Sequence, residues 1–415
     1  MTTTTDAESA GTGPAWEGRA EMFALSPAVA AVAQETIATR RLLHRHAEPS
    51  WHEGWTAQAI EERLRSYGFA NVQTYAETGR AALLKGGKPG PTVLYRADID
   101  GLPLREETGL DFASTAEAGM HACGHDGHMA IALSLAQVLQ QRREQLAGDV
   151  YFVFQPAEEV VGGARAMIQD GCLNNVAPVM ALGLHLLSEQ QPVTANIVDG
   201  AQMAAAAMMQ IEIRGKGGHG GMPHRAIDAV LVGAHVVTAL QSIVSRNVDP
   251  LAPAVVSVGK LEAGVKNNIV AETALLDGTV RTMDLALLQD LMGRIERIVA
   301  GVTAAFGATY RYTYEIASPP VRNDPRVAAL VRAEARTLLG GSRLLATPIT
   351  ASDDMALFLD EIPGCYYLFG AQHPNPEQVY PHHHAKFDID DRVLPVAVEL
   401  GRRVIEEVLC RGGIE

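Results

Sequence analysis

The chain has 415 residues, 47% of them hydrophobic and 20% charged, a globular balance that excludes a disordered or fibrous protein. Its length exceeds what one hydrophobic core comfortably serves, so two domains are expected. The formal net charge of −14, with no basic cluster beyond short runs such as QQRRE, argues against nucleic acid and against an anionic membrane surface as partners.

Residues 1–20 open with MTTTTDAESAGTGPAW, lack the basic and apolar regions of a secretory signal, and read as a flexible tail. No apolar run has the length that a bilayer span needs. Cys123, Cys172, Cys365 and Cys410 lie far apart with no CxxC pair, which suits a reducing cytoplasm better than a disulfide framework. From Pro27 to Tyr67 the pattern is helical, broken at HAEPSWHEG by Pro49 and Gly54. Strand-like runs follow in NVQTY, RAALLKG and TVLYRADID, the last ending in Asp98 and Asp100. A helix, GHMAIALSLAQVLQQRREQL, leads to the apolar strand GDVYFVFQPAEE, a short helix GGARAMIQDG, and the strand PVMALGLHL. Three buried strands ending in Asp, Glu and His point to an α/β domain, a mostly parallel sheet with helices on both faces and a polar site at its C-terminal edge.

After about residue 203 the texture changes. AMMQIEIRGKG alternates apolar and polar residues as a half-exposed strand does. Helix AIDAVLVGAHVVTALQSIVS, strands PAVVSVGKLEAG and AETALLDGTVRT, helix ALLQDLMGRIERIVAGVTAAF and strand TYRYTYEIA complete a β-α-β-β-α-β order. This predicts an inserted α+β domain over 204–316, a small sheet covered on one face by two helices, with 21–203 and 317–415 forming the first domain.

The chemistry concentrates in MHACGHDGHM. Cys123 and His125, at i, i+2 around Gly124, can face one cation, and a coordinating thiol is deprotonated outright. A cysteine–histidine nucleophile pair and a histidine-rich helix start remain alternatives, although the nucleophile pair lacks an obvious orienting residue. In FQPAEEV, Glu158 and Glu159 must point differently, so one can bind metal while the other acts as general base; a solvated EE pair is the ordinary alternative. His185 in LGLHLL reads, taken alone, as a core histidine. The tract PHHHAKFDIDD adds His382, His383 and His384, either a surface accident or a further ligand for a two-metal site.

Together, YRADIDGLPLREETGLDFAS, HACGHDGHM, PAEEVVGGARAMI, GKGGHGGMPH and GTVRT in this order resemble the M20 metallopeptidase and amidohydrolase family. The resemblance is to its D branch of N-acyl-amino-acid amidohydrolases, hippurate hydrolases and auxin-conjugate hydrolases, and runs from ATRRLLHRHAEPSWHE to HHHAKFDIDDRVL. It implies two divalent cations (Mn²⁺ or Zn²⁺) per subunit, with Cys123 bridging and His125, Glu159, His185 and His383 as further ligands. It implies Glu158 as general base and Asp98 as a carboxylate that orients the ligands. His383 stands four before the aromatic of an H-x-x-K-F pattern, which makes His382 and His384 its neighbours. The inserted domain resembles the family's lid and dimerisation domain. There His219 matches a histidine that polarises the scissile carbonyl, usually from the partner of a homodimer, while Asn268 and Arg281 match groups that hold the substrate.

Three departures stand out: His46-Ala47-Glu48 where HPE is common, Asn268-Ile269-Val270-Ala271 without the usual proline, and Ser352-Asp353-Asp354-Met355 for S-E-D-F. The expected activity is hydrolysis of the amide bond of an N-acyl or N-aroyl amino acid. Alternatives are another C–N bond or a dipeptide at the same site, a cysteine-nucleophile amidase, and an inactive binding protein of the same fold.

Overall fold

The computed structural model describes residues 22–415; the expected tail, residues 1–20, lies outside the described residues. The described chain divides into two compact units. One runs to Gly200 and resumes over Asn323–Thr347 and Phe358–Glu415; the other is Ala201–Arg322 with Pro348–Leu357. Residues 348–357 join the second unit through backbone bonds from Ile349 N–H to Gln202 O (3.0 Å) and from Ala204 N–H to Ala351 O (2.8 Å).

The first unit is built on an eight-stranded sheet. Its centre is four neighbouring strands, in the order Ala147–Gln155, Lys88–Asp98, Pro178–Leu187 and Gly364–Gly370, all parallel. Both faces of such strands are covered, which is why VYFVF and MALGL are continuous apolar runs rather than alternating ones. Gly79–Leu84 and Val72–Tyr75 extend one edge antiparallel. The helix Pro27–Arg45 starts where Ser26 accepts from Val29 N–H and Pro27 takes the first turn, a position whose missing N–H costs nothing. It packs with His125–Gln141 and Leu394–Arg411 into one core, in which Leu43, Ile131, Leu135, Val396 and Leu400 meet Val93, Tyr95, Phe152 and Leu182. The four parallel strands end at a common edge: Asp98 pairs with Gln155, and Leu187 with Gly370. That carboxyl edge is where open α/β sheets carry their sites.

The second unit follows the order strand Ala205–Arg214, helix Ala229–Ser242, strands Ala254–Ala263 and Thr273–Thr282, helix Leu285–Phe306, strand Thr309–Ser318. These strands form one antiparallel four-stranded sheet. Along the first, Met209, Ile211 and Ile213 are buried while Met208, Gln210 and Arg214 face out, the period of two that a half-covered sheet imposes. Asp284 caps the second helix by accepting from Leu287 N–H (2.8 Å). Its buried Leu288, Leu291, Met292, Ile295 and Val299 share a core with Val232, Val236 and Leu240. One expectation needs correcting. With the turn that follows it, the Ala229–Asn247 helix is long and apolar enough, by length and composition, to cross a membrane. Here Val232, Val236 and Leu240 from it fill the core beneath the sheet, where an apolar stripe serves equally well.

Candidate active site

The site grows from the carboxyl edge of the first unit's sheet. The Lys88–Asp98 strand delivers Asp98 and, two residues on, Asp100; Ala147–Gln155 leads into Glu158 and Glu159; Pro178–Leu187 carries His185. Gly124 stands at φ +87°, a left-handed conformation that costs other residues about 1–2 kcal/mol, and caps the helix that begins at His125. This turn brings ligand atoms of Cys123, His125 and Glu159 within 4.8 Å of one another, and Cys123 also lies within that distance of His185 and His382. His383 N–H donates to Ala122 O (2.8 Å), which fastens the C-terminal histidine tract to the same turn.

Hydrogen bonding decides which ring nitrogens are available. His125 Nδ1 donates to the Asp100 carbonyl (2.9 Å) and His185 Nδ1 to the Leu186 carbonyl (2.8 Å), so in the neutral rings Nε2 carries the lone pair. His125 Nε2 is buried without a hydrogen-bond partner, at 3.7 Å from Asp98 Oδ2, 3.9 Å from Glu159 Oε1 and 4.0 Å from Glu158 Oε2. Glu159 Oε1 is likewise buried and unpartnered. Such separations are too long for hydrogen bonds and suit groups sharing a cation bonded at about 2.0–2.3 Å. His185 Nε2 lies 3.5 Å from Cys123 Sγ. His128 belongs to a different class: Leu186 N–H donates to its Nε2 (2.9 Å) and its Nδ1 donates to Asp98 (2.6 Å), so neither nitrogen is left for a metal. The histidine tract divides. His382 joins Cys123 and His185, and its Nε2 accepts from Ser188 N–H (3.3 Å). His383 stands 3.3 Å from Glu159 Oε2 with its side chain 54% exposed.

The electrostatics demand positive charge. Burial, with Glu159, Glu158 and Asp98 nearby, pushes the Cys123 thiol well above its ordinary range. Burial and then neighbouring His128 and His382 hold His185 well below 6.5, in the neutral form a ligand needs. Burial would lower His125 too, but Asp98, Asp100 and Glu159 outweigh it and raise the imidazole to about 10. Burial resists ionisation of Asp98, yet His125, His128 and Arg96 hold it well below 3.8. A buried thiol among carboxylates is poorly placed as a free nucleophile, whereas thiolate, imidazole and carboxylate donors together fit divalent cations.

Behind the site lies a layer that sequence spacing did not reveal. Arg40, fully buried on the first helix, donates through Nε to Asp126 (2.7 Å) and through Nη2 to Asp388 (2.8 Å). It thereby ties the helix start that bears His125 to the segment that bears His383. His44 pairs with Asp126 (2.8 Å) and Glu106 (3.2 Å), and Arg96 donates to Asp98 (2.8 Å). The available signal was composition alone: charged residues inside otherwise apolar helical and strand runs.

The remaining sequence candidates lie in the second unit. His219 and Asn268 are exposed neighbours, since Ile269 pairs with His219 and Gly220 N–H donates to Asn268 O (2.8 Å). Gly221 N–H donates to His219 Nδ1 (3.0 Å). Arg281 lies on the Thr273–Thr282 strand opposite Ala206, with a buried Nη1 that has no hydrogen-bond partner.

The family model described as peptidase family M20/M25/M40 matches residues 94–407. An N-acyl-L-amino acid amidohydrolase of Geobacillus stearothermophilus is 45% identical over 300 residues, 71% of this chain and 80% of that protein. An N-acetylcysteine deacetylase of Bacillus subtilis is 36% identical over 377 residues, 90% and 97% of the two chains. Among solved structures, the YXEP protein of Bacillus subtilis, a dinuclear metal-binding peptidase of the M20 family, superposes with a TM-score of 0.78 at 31% identity, covering 92% of this chain and 99% of that one. A paired-carboxylate, cysteine- and histidine-lined site at the edge of this sheet, over a chain so matched, makes the protein a metal-binding hydrolase that belongs to peptidase family M20/M25/M40.

Proposed function

We propose that this chain hydrolyses the amide C–N bond of an N-acyl or N-aroyl amino acid, with Glu158 as general base. The observation that carries the reading is the unpartnered, buried His125 Nε2 facing three carboxylates beside Cys123. The printed activities of the amidohydrolase and deacetylase relatives support the substrate class. Cys123, His125, Glu159, His185 and His383 would hold two divalent cations. Bound there, Mn²⁺ or Zn²⁺ polarises a carbonyl oxygen and makes water more acidic.

The chain's own groups then divide the work. Asp98 fixes His128 and, against its burial, is kept ionised by His125, His128 and Arg96 around it. Asp100 holds the His125 ring through its carbonyl and the backbone of Glu159 through its carboxylate (3.1 Å). Glu158 takes one proton from the attacking water as the C–O bond forms, and delivers it to the leaving nitrogen as the C–N bond breaks. His219 accepts at Nδ1 from Gly221, so its proton sits on Nε2, the correct tautomer to donate to a developing oxyanion. Arg281 offers a planar fork for the substrate carboxylate, and Asn268 a neutral amide for its carbonyl. We further propose a homodimer in which His219 of one subunit completes the site of the other. A cytoplasmic setting fits the free cysteines.

The test is a panel of N-acetyl, N-benzoyl and indole-acetyl amino acids assayed with Mn²⁺ and with Zn²⁺, alongside metal analysis. Two equivalents of metal and hydrolysis abolished by chelator are expected. Hydrolysis that survives complete metal removal would overturn the reading.

A further inference from the structure

We propose that Trp51 is the specificity-determining wall that receives the aromatic acyl group of the substrate, an inference that rests on the amide-hydrolase reading above. Two buried carboxylates bind the segment Ser50–Trp51 alongside the segment that carries the paired glutamates. Glu53 Oε1 accepts from both Trp51 N–H (2.9 Å) and Ala157 N–H (2.9 Å). Asp100 Oδ2 accepts from both Ser50 O–H (2.7 Å) and Glu159 N–H (3.1 Å). Because each pair shares a single oxygen atom, Ser50 and Trp51 run directly beside Ala157–Glu159. Glu53 and Asp100 are fully buried, so the arrangement is held from beneath.

The backbone here is forced. Trp51 stands at φ +66°, Ala157 at +49° and Val161 at +53°, conformations that residues other than glycine seldom adopt, bulky and β-branched ones least of all. Strain of this kind persists where the surroundings over-determine it, and it clusters at ligand-binding positions. Its effect is to lay the indole against Gly162, where an added Cβ would come within 2.9 Å of Trp51 Cζ2. A side chain at that position would have to displace the ring. Trp51 stays 41% exposed, and Val160, on the turn after Glu158, 55% exposed. The negative face of an indole attracts the edge of another aromatic ring and disfavours a carboxylate, so we assign the acyl half of the substrate, not its carboxylate half, to that face.

The experiment compares kcat/KM for N-benzoyl and N-acetyl derivatives of one amino acid, in the metal-loaded wild type and in Trp51→Ala and Trp51→Phe. Trp51→Ala is expected to lower the benzoyl-to-acetyl ratio about tenfold or more, and Trp51→Phe to restore most of it. Equal losses on both substrates would overturn the proposal, as would a ratio that changes with the amino-acid side chain and not with the acyl group. A binding arm separates this from failure of the hydrolase reading. Quenching of intrinsic fluorescence by an N-benzoyl amino acid, present in the wild type and lost in Trp51→Phe, supports the wall even if no substrate in the pair is cleaved. Identical quenching in both proteins overturns it.

Discussion

Replacing Arg40 with methionine removes a cation that joins two segments of the site, and its cost can be worked from the contacts. The guanidinium is fully buried, 2.7 Å from Asp126 and 2.8 Å from Asp388, with its plane also over Phe112 at 5.1 Å. Methionine fills much of the volume but leaves Asp126 ionised in a site with no access to water. Removing one partner of a buried pair costs about 3–5 kcal/mol, and His44 at 2.8 Å from Asp126 keeps the value toward the lower end. For a unit of this size each kcal/mol is about 2–4 °C, so a loss near 3 kcal/mol should lower the melting temperature by about 6–12 °C. Burial opposes ionisation of Asp126, but Arg40 and then His44 hold its carboxyl far below 3.8. A carboxyl so depressed stabilises the fold above its unfolded pKa and loses that contribution as pH falls through the folded value. Without Arg40 the depression shrinks, so the acid-unfolding midpoint should move to higher pH. Thermal and acid unfolding with chelator present, so that bound metal does not add stability, read both effects. The double variant Arg40→Met/Asp126→Asn should be less destabilised than the sum of the single changes, because the orphaned charge is gone. A shift below about 2 °C in Arg40→Met, or strict additivity in the cycle, would refute the reasoning.

Glu158→Gln should lower kcat by about a hundredfold or more while metal content stays near wild type, whereas Glu159→Gln should lose metal; the reverse pattern in metal analysis would exchange their roles. Mass spectrometry during turnover of a slow substrate should show no acyl group on Cys123, and a trapped thioester there would end the account of Cys123 as a ligand. Mixing His219→Ala with Glu158→Gln subunits should recover about a quarter of wild-type activity, since random exchange makes half the dimers mixed, each with one intact composite site. No recovery in demonstrated heterodimers would remove His219 from the partner's site.

Much of this molecule could be read locally. Continuous apolar runs leading to Asp98, to Glu158 and Glu159, and to His185 announced buried parallel strands, and the alternation in MMQIEIR announced a half-covered one, because pleat and burial act on neighbouring residues. The i, i+2 pair Cys123–His125 and the adjacent Glu158–Glu159 were visible for the same reason: their chemistry is set by spacing of one or two residues. Which histidine is committed to what was not visible. His128 looked no different from His125 until Asp98, 30 residues away, and Leu186, 58 away, were found to occupy both its nitrogens. Arg40 reaches Asp126 and Asp388 across 86 and 348 residues, and the shared oxygens of Glu53 and Asp100 join Ser50–Trp51 to Ala157–Glu159 across about a hundred. Periodicity carries no record of such contacts. They depend on a strand order in which Ala147–Gln155 lies outside Lys88–Asp98 and Gly364–Gly370 lies beside Pro178–Leu187, and only the folded sheet brings those strand ends to one edge.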